Sequence, residues 1–416
     1  MSGPFGSTLK GDAYLSSGDI AFIRVQNIKG GFDINDNDLV YISNKDNEKI
    51  KSSSLQEGDL ILSKVGNSIG YFAKVSSDLG KCNISENNIG IKLSSYSDIE
   101  KSFILTYLNA KYANKLVLRR KSGNAQPKIN VDDLCRIPIL IFPKLSENIH
   151  NLIQLHEAYL NQSILSYKQA EDILNKELGI TNIENTKNYS VKSFSESFGE
   201  SNRLDAEYYQ DKYTQLFDII KNGKQLKELV TITKSIEPGS DEYKDEGIPF
   251  LRVSNLTKFG LTDSNVFLDR KKYENLLKPR KDTILFSKDG SIGIAYKAES
   301  DLDCITSGAL LHLSVKKTTI LPDYLALVLN SKIVQLQAER DSGGSIINHW
   351  RLPEIEMVLI PMLDYDIQNQ ISQKVQESFK LRKDSKNLIN VAIRAVELAI
   401  EKNEEYASQW LIENSN

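Results

Sequence analysis

The sequence predicts an α+β protein. Two similar mixed α/β modules, residues 1–146 and 188–364, are separated by two long antiparallel helices, residues 147–187 and 365–416, in a pseudo-two-fold internal repeat. Two observations predict this. The first is self-similarity in a fixed order. Ile20-Ala21-Phe22-Ile23-Arg24-Val25-Gln26-Asn27 matches Ile248-Pro249-Phe250-Leu251-Arg252-Val253-Ser254-Asn255, and the stretch 59–70 matches 282–293. Leu108-Asn109 matches Leu329-Asn330, Ser122-Gly123 matches Ser342-Gly343, and the apolar run ending at Pro143 matches the run ending at Pro361. Short strand-like pieces that resemble one another by chance do not keep such an order. The second is that a long proline-free segment with heptad spacing follows each copy.

In chain order, the alternation over Ile20–Ile28 and the short apolar runs Leu60–Ser63 and Ile89–Leu93 predict strands between Gly and Asn turns. From Glu147 the apolar stripe Ile153, Leu160, Tyr167 and Leu174 recurs every seven residues, and Gly179 reads as its stop. The second stripe runs through Ile367, Ile371, Val375, Ile389, Ile393, Val396 and Ile400. Each helix is on the order of 50 Å long at 1.5 Å per residue. That length exceeds what a small module covers, so each helix is expected to take the other repeat's helix as its partner, with Ile153, Leu160, Tyr167, Leu174, Ile371, Ile389, Ile393 and Val396 marking these partner-binding helices.

Composition narrows the function. The chain has 416 residues, 52 Lys and Arg against 55 Asp and Glu, a net charge of −3, 40% apolar and 26% charged residues, which describes a folded protein. No run of about 18 apolar residues suits a membrane span, and the start Met1–Ser7 has no charged-then-apolar pattern of a secretory signal. Cys82, Cys135 and Cys304 are far apart and read as buried thiols of a reducing cytoplasm. With four histidines, no cysteine pair and no histidine cluster, no metal site is expected.

Two similar readers and a stiff spacer suit a split site on a rod, and duplex DNA is such a rod. Base readout needs Arg or Lys, Asn or Gln, and Ser or Thr on projecting loops. In the first module the candidates are Arg24, Gln26, Asn27, Lys64, Asn67, Ser68, Arg119, Arg120, Lys121, Asn124, Gln126 and Lys128. In the second they are Arg252, Ser254, Asn255, Lys288, Ser291, Ser342, Ser345, Asn348 and Arg351. The plainer readings are an exposed basic loop at 119–128, structural ion pairs at Arg24 and Arg252, and Asx turns at Asn27 and Asn255. Residues 1–146 carry 19 basic and 15 acidic side chains, and residues 188–364 carry 23 and 26. Because phosphate neutralisation supplies sequence-independent affinity, the chain alone is expected to bind DNA weakly.

Several stretches resemble the specificity subunits of type I restriction–modification systems and their relatives in two-chain type II systems. They are Gly3-Pro4-Phe5-Gly6-Ser7, the paired strands at 20–27 and 248–255, the Ser-Lys-x-Gly-Ser-Ile-Gly hairpin at 287–293 with its looser copy at 63–70, and Asn202-Arg203-Leu204-Asp205-Ala206-Glu207-Tyr208-Tyr209. The resemblance implies two target-recognition domains, each reading half of a split double-stranded site. It also implies helices that set the unread gap and dock two methyltransferase subunits, with restriction subunits in the same assembly. Adenine-N6 methylation with S-adenosylmethionine, and Mg/ATP-dependent endonuclease activity, would lie on the partners, leaving no cofactor and no catalysis in this chain. In agreement, there is no Asn/Asp-Pro-Pro-aromatic motif, no Gly-x-Gly-x-x-Gly and no phosphate-binding Gly-x-x-x-x-Gly-Lys-Ser/Thr. One departure is that Leu204–Thr233, ahead of the second module, has no counterpart ahead of the first, so either the first borrows that packing from elsewhere or the chain is the distal part of a longer design. The competing reading is a two-domain protein-interaction scaffold with no DNA role.

Overall fold

The computed structural model describes the chain apart from residues 5–7, 10–12, 29, 36–38, 124–126, 181–182, 188, 317–318, 343–348 and 415–416. It divides into two compact units, Met1–Leu160 with Arg382–Asn416, and Asn161–Leu381.

In the first unit, β1 (Ile20–Ile23) pairs antiparallel with β2 (Val40–Ile42) and parallel with β5 (Cys82–Ile84). A second sheet sets β3 (Leu60–Ser63) between β4 (Phe72–Lys74) and β6 (Asn88–Ile91), both antiparallel, with Leu62 opposite Phe72 and Ile89. Helices α1 (Asn44–Lys49), α2 (Asp98–Asn109), α3 (Lys111–Arg119) and α4 (Val131–Cys135) cover these sheets. A capping box starts α2, with the Ser97 side chain accepting from the Glu100 N–H. The Asn109 side chain then locks α2 to the hairpin: its Oδ1 accepts from Phe72 N–H (3.1 Å) and its Nδ2 donates to Phe72 O (2.9 Å).

The second unit begins within α5 (Pro143–Glu177) and continues through α6 (Phe198–Ser201), α7 (Asp211–Ile220), β7 (Lys224–Gln225), α8 (Leu226–Leu229) and β8 (Val230–Lys234). Here β9 (Ile248–Leu251) leads to the ribbon of β10 (Leu256–Thr257) and β11 (Gly260–Leu261), then to β12 (Phe267–Leu268) and α9 (Arg270–Tyr273). After these come β13 (Ile284–Ser287), β14 (Ala295–Lys297), β15 (Ile305–Thr306) and β16 (Leu310–Val315). β9 pairs antiparallel with β12 and parallel with β15, while β13 lies between β14 and β16, both antiparallel. These are the pairings of the first unit, to which β8 adds a fourth strand on β16. Next are α10 (Pro322–Asn330), α11 (Lys332–Asp341), α12 (Leu352–Glu356) and β17 (Leu359–Ile360), which pairs with β7. Asn330 repeats the Asn109 lock, accepting from Ala295 N–H (3.0 Å) and donating to Ala295 O (2.7 Å).

The long helices α5 and α13 (Tyr365–Glu401) each contribute one half to each unit. In the first unit Ile153 and Val396 are buried in one cluster with Leu62, Phe72 and Phe103. The Ser385 hydroxyl meets His156 Nδ1 at 2.6 Å. The Glu404 carboxylate accepts from the N–H groups of Lys144 and Leu145 at the α5 N-terminus, where negative charge is favoured. In the second unit Tyr167, Leu174 and Ile371 are buried in one cluster with Phe286 and Tyr324.

Four expectations are corrected. The first spacer was expected to reach residue 187, but α5 ends at Glu177. Gly179 takes φ +64°, its N–H donates to Lys176 O, and Ile180 N–H donates to Asn175 O, a Schellman stop. The second was expected to be continuous to 416, but it breaks after Glu401, and Asn403 Oδ1 caps α14 (Glu404–Asn414) through Tyr406 N–H. The seam residues Ile153, Tyr167, Leu174, Ile371 and Val396 are 0–4% exposed, while Leu160, Ile389 and Ile393 are partly buried. All of them except Leu160 lie in or against the chain's own core clusters and are not free for partners. Of the cysteines, Cys82 and Cys304 are buried but Cys135 is exposed. Among the described residues no helix is long and apolar enough to cross a membrane.

His312 on β16 is buried with its Nε2 2.7 Å from Thr306 Oγ1, and burial pushes its imidazole down to about 4. Below about pH 6.5 the unfolded chain takes up a proton that the folded chain refuses. Stability is therefore expected to fall between about pH 6.5 and about 4, by on the order of 3 kcal/mol from this group. Urea unfolding of wild type against His312→Gln checks this: the wild type should lose stability relative to the variant as the pH falls through that range, and the difference between the two should be constant above pH 7.

Candidate nucleic-acid interface

In the first unit, one chain of backbone hydrogen bonds gathers the candidate loops. Ser85 N–H donates to Ile23 O at the end of β1, Lys64 N–H to Asn87 O (2.7 Å), and Ile129 N–H to Lys64 O (3.0 Å). Val65 and Ser122 each bridge Lys128. Arg24, the turn 85–87, Lys64 and the strand of Lys128 therefore lie side by side. A cleft of about 400 Å³ opens among Tyr14, Arg24, Gln26, Ser85, Glu86 and Asn87.

The second unit repeats this path with other side chains. Ser307 N–H donates to Leu251 O, Lys288 N–H to Ala309 O (3.0 Å), and Trp350 N–H to Lys288 O (2.9 Å), with Asp289 bridging His349. Ile129 and Trp350 are each 1% exposed. A buried apolar residue thus pins the far end of each loop.

Electrostatics separates the two sites. Lys64, Arg119, Arg120, Lys121 and Lys128 form no ion pair among the described residues; Arg120 donates only to Arg136 O (3.3 Å). In the second unit three cations near the loops have a local carboxylate: Lys288 with Asp289, Arg340 with Asp341 (2.8 Å), and Arg351 with Glu354. His349 Nδ1 lies 2.8 Å from Asp289 Oδ1. Burial works against ionisation of Asp289, but hydrogen bonds from Lys288 and His349 hold its carboxyl below the usual range. The first site is the one with open positive charge.

The remaining candidates sort by exposure. Gln26, Ser254, Ser291 and Arg351 are exposed, and Arg24, Ser68, Arg252 and Ser342 are half-buried. Asn27 and Asn255 are corrections: they are 0% and 8% exposed. Asn27 accepts from Arg24 N–H and donates to Asn35 O, while Asn255 accepts from Arg252 N–H and donates to Asp263 O. Their amides are spent on closing turns and cannot read a base. The Asn67 side chain and residues Asn124, Gln126, Ser345 and Asn348 lie outside the described residues. Sequence reasoning missed the turn Ser85-Glu86-Asn87, which carries no periodic signal. It also missed the clamp at Arg340, whose guanidinium lies 4.5 Å from the Tyr208 ring and 4.3 Å from the Phe217 ring. Among the described residues no group of three or more His, Cys, Asp or Glu side chains is placed to hold a metal ion.

The two units thus carry one hydrogen-bonded frame with different side chains on it. Residues 221–393 match the family model of the type I restriction modification DNA specificity domain. The chain is also similar to the type I restriction enzyme EcoBI specificity subunit of Escherichia coli, with 26% identity over 192 residues. That match covers 43% of this chain and 39% of the relative, so the matched stretch spans about two fifths of the relative's length. Among solved structures it is similar to the S subunit of a type I restriction–modification system from M. genitalium, with 14% identity, a TM-score of 0.37, and 95% and 91% of the two chains covered. It is similar too to the HsdS subunit of Thermoanaerobacter tengcongensis, with 15% identity, a TM-score of 0.30, and 92% and 90% covered.

Because Asn27 and Asn255 serve the frame, Asn27→Ala and Asn255→Ala should each lower unfolding stability by about 1–3 kcal/mol. Chemical denaturation checks this, and unchanged midpoints would return both residues to the readout candidates.

Proposed function

We propose that this chain is a non-catalytic DNA-recognition subunit of a restriction–modification complex, whose two units each read one half of a split double-stranded sequence. The observation that carries this reading is the recurrence of one hydrogen-bonded loop framework with different side chains, together with the specificity-domain match over residues 221–393. A shared frame with different loops suits two unlike half-sites, since the frame positions while side chains at base edges specify. Lys64, Lys121 and Lys128 supply phosphate contacts; Gln26, Ser254, Ser291 and the loop residues Asn124, Gln126, Ser345 and Asn348 supply base contacts.

In this reading α5 and α13 set the gap between half-sites and present their outer faces to two methyltransferase subunits, with restriction subunits completing the assembly in the cytoplasm. S-adenosylmethionine, Mg and ATP belong to those partners. The second unit pairs Lys288, Arg340 and Arg351 internally, so tight binding depends on positive surface from the partners.

Two outcomes are expected. Lys64→Ala, Lys121→Ala and Lys128→Ala should each weaken binding to all sequences alike and reduce the salt slope by about 0.9 per lost phosphate contact. Titration of the partner-bound chain at several salt concentrations measures this, and an unaltered slope in all three counts against phosphate contact. Exchanging residues 119–128 or 342–348 for the loop of another specificity subunit should change one half of the methylated sequence and spare the other. Methylome sequencing reads the result, and an unchanged methylome would favour the scaffold reading.

A further inference from the structure

In each unit the chain behind the Asn-closed turn is fastened to both long helices, and the two fastenings differ in chemistry. In the first unit Asn27 Nδ2 donates to Asn35 O (3.0 Å) and Asn35 N–H donates to Asn27 O (2.8 Å), so Asn35 and the turn that carries Gln26 form one hydrogen-bonded piece. Two residues before Asn35, the Asp33 carboxylate lies 3.2 Å from His156 Nε2 on α5. A carboxylate only accepts, so Nε2 carries the proton. The other ring nitrogen, Nδ1, is 2.6 Å from the Ser385 hydroxyl on α13, and that hydroxyl is 3.1 Å from His156 O. Ser385 donates to Nδ1, or accepts from it and donates to His156 O; the chain from Asp33 to Ser385 stays closed in both arrangements. Phe32 is held beside it at φ +61°, a conformation that an aromatic residue keeps only when its surroundings impose it. Its N–H donates to Phe72 O (2.7 Å), its carbonyl accepts from Lys74 N–H (2.8 Å), and its ring meets the His156 ring edge-on at 6.5 Å.

The second unit makes the same attachment with rings. Asn255 Nδ2 donates to Asp263 O (3.1 Å) and Thr262 N–H donates to Asn255 O (2.8 Å). Between these residues Phe259 reaches both helices, its ring 4.9 Å from Tyr167 on α5, edge to face, and 6.3 Å from Phe379 on α13. Beside it Lys258 Nζ stands 4.7 Å from the Tyr167 ring and 3.6 Å from Glu171. Neither attachment is needed to close its turn, which Asn27 and Asn255 do through the N–H groups of Arg24 and Arg252. The Ser, His and Asp order of the first attachment is that of a nucleophile relay, but Ser385 is 2% exposed and no substrate reaches its Oγ. Nor is Asp33 a strong source of stability, since its side chain is 48% exposed and water competes for it. What remains for the attachment to supply is direction.

We infer that these attachments are positioning devices for base readout: Asp33, His156 and Ser385 aim the turn of Gln26, and Phe259, Tyr167 and Phe379 aim the turn of Ser254. The inference rests on the DNA-reading proposal and deepens it by assigning residues that act on the bases only through another group. Gln26 and Ser254 are exposed at equivalent positions, each between a strand end and the closing Asn. The strand, β1 or β9, fixes where such a turn begins. Its return side is fixed by the attachment, so the turn holds one direction against α5 and α13, as a directional hydrogen bond to a base edge requires. His156 and Ser385 are 3% and 2% exposed and touch no ligand themselves. Because one attachment is hydrogen-bonded and the other aromatic, each half of the site is tuned by its own set of residues.

The test uses the full chain assembled with its natural partners, and duplexes carrying the split sequence that methylome sequencing gives, intact or with one mismatched base pair in either half. The measured quantity is the ratio of affinities for intact and mismatched duplex, which a loss of folded protein does not alter. Asp33→Ala and Ser385→Ala should each lower this ratio about fivefold or more in one half and leave the other half within about twofold. Phe259→Ala should do the same with the halves exchanged. Asp33→Asn, which keeps an acceptor for His156 Nε2, should retain the wild-type ratio in both halves. The inference is overturned, and the DNA-reading proposal left standing, by an unchanged ratio in either Asp33→Ala or Ser385→Ala, by an equal fall in both halves, or by Asp33→Asn proving as poor as Asp33→Ala. A wild-type chain that prefers the intact duplex in neither half overturns both.

Discussion

The backbone hydrogen bond from Ile129 to Lys64, and its counterpart from Trp350 to Lys288, is the constraint on which the rest depends. Each bond fastens the residue after a long loop to the hairpin that follows β3 or β13. The apolar side chain of that residue is buried, so the loop cannot swing free without exposing it. Under the proposed function such an anchor matters, because hydrogen-bond discrimination between bases fails when donors are displaced by a fraction of their own length.

Around that anchor, side-chain amides do the fastening that backbone ladders cannot. Asn109 and Asn330 join a helix to a strand end, and Asn114 and Gln335 reach the carbonyls of Gly70 and Gly293. Gly70 and Gly293 sit at φ +101° and +79°, and a Cβ there would meet the Asn114 and Gln335 side chains at 2.6 and 2.8 Å. Glycine at these two turns therefore serves both the left-handed backbone and the close amide approach. The same parts hold both frames, while the charge laid on them differs: open cations in one unit, locally paired cations in the other.

Much of this was legible in the residues. The ordered repeat marked β1 and β9, β3 and β13, α2 and α10, because burial on a sheet or helix face imposes a periodicity that survives divergence. Gly179 marked the helix stop, since few other residues take a left-handed conformation without strain. The site was less legible. Asn27 and Asn255 have the chemistry of base readers, yet the same amide closes a turn equally well, and only burial tells the uses apart. Lys288 resembles Lys64 in the chain, but Asp289 beside it cancels its charge, and a carboxylate one residue away signals pairing only once its rotamer is fixed. The heptad stripe was real, but a stripe records that a face is apolar and not which chain covers it.

Sequence alone thus determined the order of elements, the repeated frame and the chemical class of its loops, because these rest on local pattern and composition. Tertiary structure alone decided which polar groups remain free and that Ile153, Tyr167, Leu174, Ile371 and Val396 are internal. It also decided that Arg119 stands open where Arg340 is clamped. These outcomes depend on residues far apart in the chain competing for the same partners, and no local pattern encodes the winner.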